Sequence, residues 1–265
     1  MAESTIGRTY GWRGLGVLDP RHLQLKIPTR LTKAVPSKYT LFDKHMPKVY
    51  DQGQAGSCVA NGVAGQIERL LSIEGIPVFT PSRLAMYWFG RVLEGTTKSD
   101  SGLVITDEMK ALTKFGYCDE KLWPYNLKNL YKDPPQTVVA DCATRTAEKY
   151  QAVADNENGV FGAMLAGYMP CFGFTVFTSF ESDAAANTGV MPMPKKGESV
   201  LGGHCVDAVG WDIGADKLFC RNSWGSAWGA DLGSGERGYF TMPLSKFAMS
   251  PQYASGFEVL SFASK

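Results

Sequence analysis

The sequence predicts an α+β fold, helical in its first part and rich in β-strands in its second. Apolar residues recur at spacings of three and four between Cys58 and Phe115. Beyond about residue 145 that rhythm gives way to short β-branched and aromatic runs divided by turn residues. A chain of 265 residues is also long enough for one large domain, or two joined halves, with a substantial core.

The elements follow in order. Residues 1 to about 42 scatter proline, glycine and basic side chains without helical period. Arg8, Arg13, Arg21, Lys26, Arg30 and Lys33 stand there against Glu3 and Asp19, and the segment is expected to be an extended surface strap. A helix is expected from Ser57 or Cys58, carrying Ala60, Val63, Ala64, Ile67, Leu70 and Leu71 on one face and ending at Gly75 before Ile76-Pro77. A second should start at Pro81 with Thr80 as cap, and a third should run from about Ile105 to Phe115 and close at Gly116. Pro170 to Phe180 reads as a strand, and Thr178 to Gly203 as a long polar loop. His204 to Trp211 and Lys217 to Ser223 read as strands joined by a turn over Asp212–Asp216, with another strand at Tyr239 to Met242.

Composition narrows the function. Hydrophobic residues make up 44% and charged residues 20%, and the formal net charge is +1. No global field therefore favours nucleic acid or an anionic membrane as partner. The chain holds no run of about 18 apolar residues, and Met1 to Pro20 has no apolar core of a secretory signal. Cys58, Cys118, Cys142, Cys171, Cys205 and Cys220 form no CxxC pair and there are three histidines, so no metal or other cofactor is expected. Most of these cysteines are expected to be small buried residues with reduced thiols.

Cys58 stands apart because it falls where the helical pattern begins. A helix N-terminus favours a thiolate through its unpaired N–H groups and dipole. Gly53 and Gly56 before it allow a sharp turn and close approach of a carbonyl. Gln52 supplies an amide donor that can reach an oxyanion formed by thiolate attack. His204, after Gly202-Gly203, can accept the thiol proton and later protonate a leaving amine. Asn222, on the next strand, can fix the imidazole by accepting its second N–H, and Trp224 can keep water from that bond. Each residue alone has a structural reading, His204 as a satisfied strand histidine and Asn222 as a turn residue.

Three segments carry a family resemblance. Asp51-Gln52-Gly53-Gln54-Ala55-Gly56-Ser57-Cys58 looks like the active-site segment of papain-like cysteine peptidases. Gly203-His204-Cys205-Val206-Asp207-Ala208-Val209-Gly210-Trp211 resembles their histidine strand, and Asn222-Ser223-Trp224-Gly225-Ser226-Ala227-Trp228-Gly229 their Asn-Ser-Trp-Gly-x-x-Trp-Gly signature. His204 and Asn222 follow Cys58 by roughly 150 and 160 residues, the latter slightly long for the family. The compact bacterial and viral branch is the nearest likeness. Ala55 and Val59 depart from the pattern, where a disulfide cysteine and an aromatic residue are usual.

The resemblance implies a papain-like two-subdomain fold, with a helical left half, a β-barrel-like right half and a cleft between them. It implies Cys58 as nucleophile, His204 as base, Asn222 as orienting residue, and Gln52 with the Cys58 N–H as oxyanion hole. Ser101 and Gly102 would form a wall that pairs with substrate backbone; Trp224 is a further candidate substrate contact, and Cys205, on the strand face opposite His204, reads as a core or pocket-wall residue that could border the substrate. The expected division is 1–35 as an N-terminal extension or short pro-segment and 36–265 as the peptidase domain, about 43–135 mainly helical and about 136–265 β-rich. A peptide or protein is the expected substrate, and the chain's own N-terminal segment is a candidate cleft occupant. The loop over residues 178–203 is either a solvated surface loop or a border of the leaving-group side of the cleft. A catalytically silent binding or structural protein, and a Cys-dependent acyl transferase or isopeptidase, are the alternatives on the same fold.

Overall fold

In the computed structural model the described residues are 8–15 and 22–261, so Glu3, Asp19 and Arg21 of the N-terminal extension lie outside them. The helices are α1 (Thr29–Thr32), α2 (Cys58–Ile73), α3 (Arg83–Glu94), α4 (Ile105–Lys114), α5 (Gln136–Cys142), α6 (Glu157–Leu165) and α7 (Asp183–Thr188). The strands are β1 (Lys38–Thr40), β2 (Lys149–Ala152), β3 (Cys171–Phe177), β4 (Val200–Asp212), β5 (Lys217–Arg221), β6 (Tyr239–Pro243) and β7 (Ala254–Ser261). They form one antiparallel sheet in the order β2-β7-β3-β4-β5-β6. β4 is long enough for β3 to pair with its first half, while β1 pairs with the end that β3 does not reach.

Two apolar cores follow the predicted halves. One gathers Phe172, Phe174, Phe240, Phe247, Phe257 and Trp211 around the sheet, and the other gathers Val63, Ile67, Tyr87, Phe89, Met109 and Leu112 among α2, α3 and α4. α2 lies against the sheet, and two glycines bring it close. A Cβ at Gly65 would stand 2.6 Å from the Arg221 guanidinium, and one at Gly62 would stand 3.2 Å from Asp207. Polar side chains then fix the contact. Gln66 donates to Glu258 O (3.0 Å) and accepts from Leu260 N–H (2.9 Å), both on β7. Arg69 reaches Asp43 with two bonds of 3.0 Å.

Several boundaries differ from expectation for local reasons. α3 begins at Arg83 because Ser82 caps it, accepting from Ala85 N–H (3.3 Å), while Pro81 bridges to Asp119. The expected strand over Pro170–Phe180 closes at Phe177, since Thr178–Glu181 winds into a 3₁₀ turn. The polar stretch after it is not a plain loop. Ser182 caps α7, Gly189 ends it in the left-handed region, and β4 starts at Val200. The extension contains α1, and β1 lies at the end of the expected irregular stretch.

One buried group carries a testable cost. Glu108 on α4 is 0% exposed, and neither carboxylate oxygen has a hydrogen-bond partner. Burial first, and the charge of Glu94 second, push its carboxyl well above the usual range, so it keeps its proton in the fold. A buried unpaired polar group costs roughly 1–3 kcal/mol. Glu108→Met should recover that much, raising Tm by about 2–4 °C per kcal/mol. A raised folded pKa contributes stability at low pH that is lost as pH rises, so the gain should be larger at pH 8 than at pH 5. Thermal melts at the two pH values check both signs.

Candidate active site

α2 starts without a side-chain cap. Ser57 turns its hydroxyl to Tyr125 Oη (2.6 Å) and leaves the first N–H groups of the helix free. The backbone N–H groups of Cys58 and Val59 then point at the Cys58 sulfur, joined by those of Cys205 and Gly11. The preceding loop is held from below by Asp100, which accepts from Gly56 N–H (3.0 Å) and from Tyr87 Oη (2.6 Å). Tyr87 Oη accepts in turn from Gly102 N–H (3.0 Å). Asp100 and Tyr87 thus tie the cysteine loop to the Gly102 wall. Sequence reading missed them because both are joined to the site only by the tertiary fold.

Asn222 follows the last residue of β5, and its Oδ1 lies 2.8 Å from His204 Nε2. The same Oδ1 accepts the Ser223 N–H at 2.8 Å. A backbone N–H can only donate, so this bond fixes which end of the amide faces His204. Nε2 must therefore carry the ring proton, and Nδ1 is left as the basic nitrogen. Trp224 stacks on the imidazole at 4.8 Å and Phe174 meets it edge-on at 5.7 Å, walling the bond from water. Gln52 joins the two halves. Its N–H donates to Ser223 O (2.8 Å), its Oε1 accepts from Ser223 Oγ (2.5 Å), and its Nε2 donates one hydrogen to Ala55 O (2.8 Å). An amide carries two such hydrogens, so a second remains.

The cleft between these groups is covered by residues 8–13. Trp12 N–H donates to Gly203 O (2.9 Å), Leu103 N–H to Gly11 O (2.7 Å) and Arg13 N–H to Leu103 O (3.2 Å), with Trp12 and Leu103 in a parallel bridge. On the other side of Cys58, Arg8 lies 4.1 Å over the Trp224 ring and pairs with Glu181 (2.6 Å), which also accepts from Tyr10 Oη. Cys58 is 0% and His204 1% exposed. Burial dominates their titration, pushing the thiol up to about 11 and pulling His204 down to about 4, where the Asn222 bond opposes and the nearby Arg8 charge assists. The covered pair is therefore thiol and neutral imidazole.

The remaining candidates fall out as follows. Gly102 packs on the Gly11 carbonyl, but the backbone pairing is made by Leu103, and Ser101 turns its hydroxyl to Thr96 Oγ1 (2.9 Å). Cys205 is buried beside Cys171 and Gly62, so its sulfur sits between α2 and the sheet while its N–H faces Cys58. All six cysteines are free. Among the described residues no cluster of metal-ligating side chains occurs, and no helix is long and apolar enough to cross a membrane.

Residues 35–251 match the model of the papain family cysteine proteases. A peptidase C1-like protein, L477, of Acanthamoeba polyphaga mimivirus is 34% identical over 219 residues, 79% of this chain and 68% of that one. Xylellain, a cysteine protease from Xylella fastidiosa, superposes with a TM-score of 0.85 at 30% identity over 100% of both chains. Digestive procathepsin L 3 of the Tenebrio molitor larval midgut shares the fold, with a TM-score of 0.67 and 16% identity over 97% of this chain and 77% of that one. With the fold, the cysteine at an uncapped helix start and the sequence match in agreement, the chain belongs to the papain family of cysteine proteases.

Proposed function

We propose that this cysteine peptidase cleaves peptide bonds with Cys58 as nucleophile, His204 as general base and acid, Asn222 as the positioning residue, and Gln52 with the Cys58 N–H as oxyanion hole. The observation that carries this reading is the fixed orientation of the Asn222 amide, which leaves the lone pair of His204 on Nδ1. The Cys58 S–H proton passes to Nδ1 as the sulfur bonds to the substrate carbonyl carbon, and the C=O π pair moves onto oxygen. The oxyanion is received by the Cys58 N–H and the remaining Gln52 Nε2 hydrogen. As the oxyanion collapses, the C–N bond breaks and the imidazolium protonates the departing amine. Water then gives a proton to His204 and attacks the thioester, releasing the acid and restoring the thiol.

Residues 8–13 form part of this reading as an occupant that holds the cleft closed. Gly11 contributes a backbone hydrogen bond to the Cys58 thiol and commits its carbonyl to the Leu103 N–H.

Intact-mass spectrometry after treatment with an epoxide-type cysteine peptidase inhibitor tests the assignment. One adduct mapping to Cys58, absent from Cys58→Ala, is expected, and a Cys58→Ala protein that still hydrolysed peptides would remove it. Asn222→Ala should lower kcat on the order of 100-fold, the typical worth of a positioned acid–base group, with KM changed little. Steady-state kinetics separate the two constants.

A further inference from the structure

Two cysteines that peptide cleavage leaves unused touch each other. Cys118 lies just past the C-terminus of α4, and Cys142 is the last residue of α5. Gly116 brings the two stretches together. Its backbone is in the left-handed region, and a Cβ there would stand 2.0 Å from the Cys142 carbonyl oxygen and 2.5 Å from that of Arg145. Tyr117 N–H donates to Arg145 O (3.0 Å), and Arg145 N–H to Cys142 O (3.0 Å). Within this frame the Cys118 and Cys142 thiols hydrogen bond to each other. The pair is remote in the chain from position 55, where alanine replaces the disulfide cysteine usual in the family.

Cys171 and Cys205 also share a hydrogen bond, but their setting differs. They stand on the adjacent strands β3 and β4, beneath Gly62 of α2. Burial above all, and then Cys171 itself, hold the Cys205 thiol protonated. At the other pair the bond from Cys142 is the largest influence on Cys118 and favours its thiolate, against burial. Both thiols are covered, yet the cover is slight. α5 has 7 residues and buries only Val138 and Cys142, so it can open locally at low cost.

The residues between the pair support the cysteine loop. Tyr125 Oη donates to Gln52 O (3.0 Å) and meets Ser57 Oγ (2.6 Å). Trp123 O accepts from Ser82 Oγ (2.7 Å), and Leu130 O from Arg91 Nη2 (2.6 Å).

We propose that Cys118 and Cys142 are a redox modification site, closed by a peroxide to a reversible disulfide that staples residues 119–141 behind Gln52 and Ser57. The Cys118 thiolate attacks a peroxide oxygen, the O–O bond breaks, and a sulfenic acid and hydroxide form. Hydroxide takes the Cys142 proton and leaves as water. The Cys142 sulfur attacks the sulfenic sulfur, the S–O bond breaks, and the departing hydroxide takes up the proton first lost by Cys118. Two thiols and one hydrogen peroxide thus give one disulfide and two waters. A dithiol reverses the change and becomes a cyclic disulfide.

The test uses the folded full chain with Cys58→Ala, so that the site is read without the active-site thiol and independently of peptidase activity. After hydrogen peroxide and alkylation of the remaining thiols, non-reducing peptide mapping should show a Cys118–Cys142 link that dithiothreitol removes. Cys171 and Cys205 should be recovered alkylated after denaturation. Closing a loop of this size should raise Tm by about 5–10 °C. Hydrogen exchange over residues 119–141 should slow at least threefold. Cys118→Ala and Cys142→Ala should each abolish the link and the Tm rise. Oxygen added to either sulfur without a link, or linkage of Cys171 to Cys205 in its place, overturns the site. A link that leaves Tm and exchange unchanged overturns the staple.

Discussion

Gly11→Val is expected to accelerate both inhibitor labelling of Cys58 and peptide hydrolysis at least tenfold. A Cβ on Gly11 would stand 1.8 Å from the Gly56 carbonyl oxygen and 2.4 Å from its carbon. That neighbour is backbone, and it cannot yield easily because Asp100 holds the Gly56 N–H. The segment must then leave its seat, and the Trp12–Gly203 and Gly11–Leu103 bonds go with it. Cys58 and His204, now sealed, would meet water. Removing the burial that raises the thiol and lowers the imidazole, and the Arg8 charge that also lowers His204, brings the two titrations toward each other. Formation of a thiolate–imidazolium pair becomes easier, so labelling should rise through reactivity as well as access. A tenfold change corresponds to about 1.4 kcal/mol of seating free energy. Labelling rates followed by mass spectrometry, beside the unmodified protein, are the measurement. Equal rates would show that residues 8–13 do not gate the cleft.

The proposed reacting groups could be picked out of the sequence because each is announced locally. Cys58 follows two glycines at the start of a clear apolar period, and His204 and Asn222 sit in short distinctive segments whose order and spacing match a family. The covering segment gives no such signal. Tyr10, Gly11 and Trp12 acquire their meaning from Leu103, Gly173, Gly203 and Glu181, all remote in the chain, and pairing of that kind leaves no periodic trace. α6 escaped for a different reason. Val160, Phe161, Ala163 and Met164 are all buried, along with Gly159 and Gly162, so no polar face marks the helical period. α7 was hidden by composition, a six-residue helix inside a stretch rich in turn formers. The signals that find it are small, a Ser182 cap and a Gly189 terminator. The expected start of α3 at Pro81, with Thr80 as cap, was displaced because Pro81 pairs with Asp119 and Ser82 caps the helix instead.

Asp207→Ala is expected to produce the largest loss of stability, on the order of 3–5 kcal/mol, the cost of leaving a buried charge without its partner. Asp207 and Arg221 face each other across β4 and β5, joined at 2.9 Å, and each side chain is 1% exposed. The guanidinium also donates to Lys48 O and lies 4.5 Å over the Tyr50 ring, but its Nε has no partner, nor has Asp207 Oδ1. Burial pushes the Asp207 carboxyl up to about 7 against the pull of Arg221, so at pH 8 the carboxylate is charged. On Arg221 the Asp207 charge holds the proton against burial. Truncating Asp207 leaves that cation with a ring and a carbonyl, and Tm should fall by roughly 6–20 °C for a chain of this size. The consequence reaches the site, because Asp207 lies three residues after His204 and Arg221 immediately precedes Asn222. The pair sets the position of the two strand ends that bring Nε2 to Oδ1, so kcat of the surviving folded protein should fall as well. Replacing both partners, Asp207→Leu with Arg221→Met, removes the charge and its need together and should restore most of the stability. Melting curves at pH 8 for the single and double variants give the coupling directly. A single variant that melts with the unmodified protein would mean that water or a neighbouring dipole already satisfies Arg221, and that the pair does not hold the strand ends at His204 and Asn222 in place.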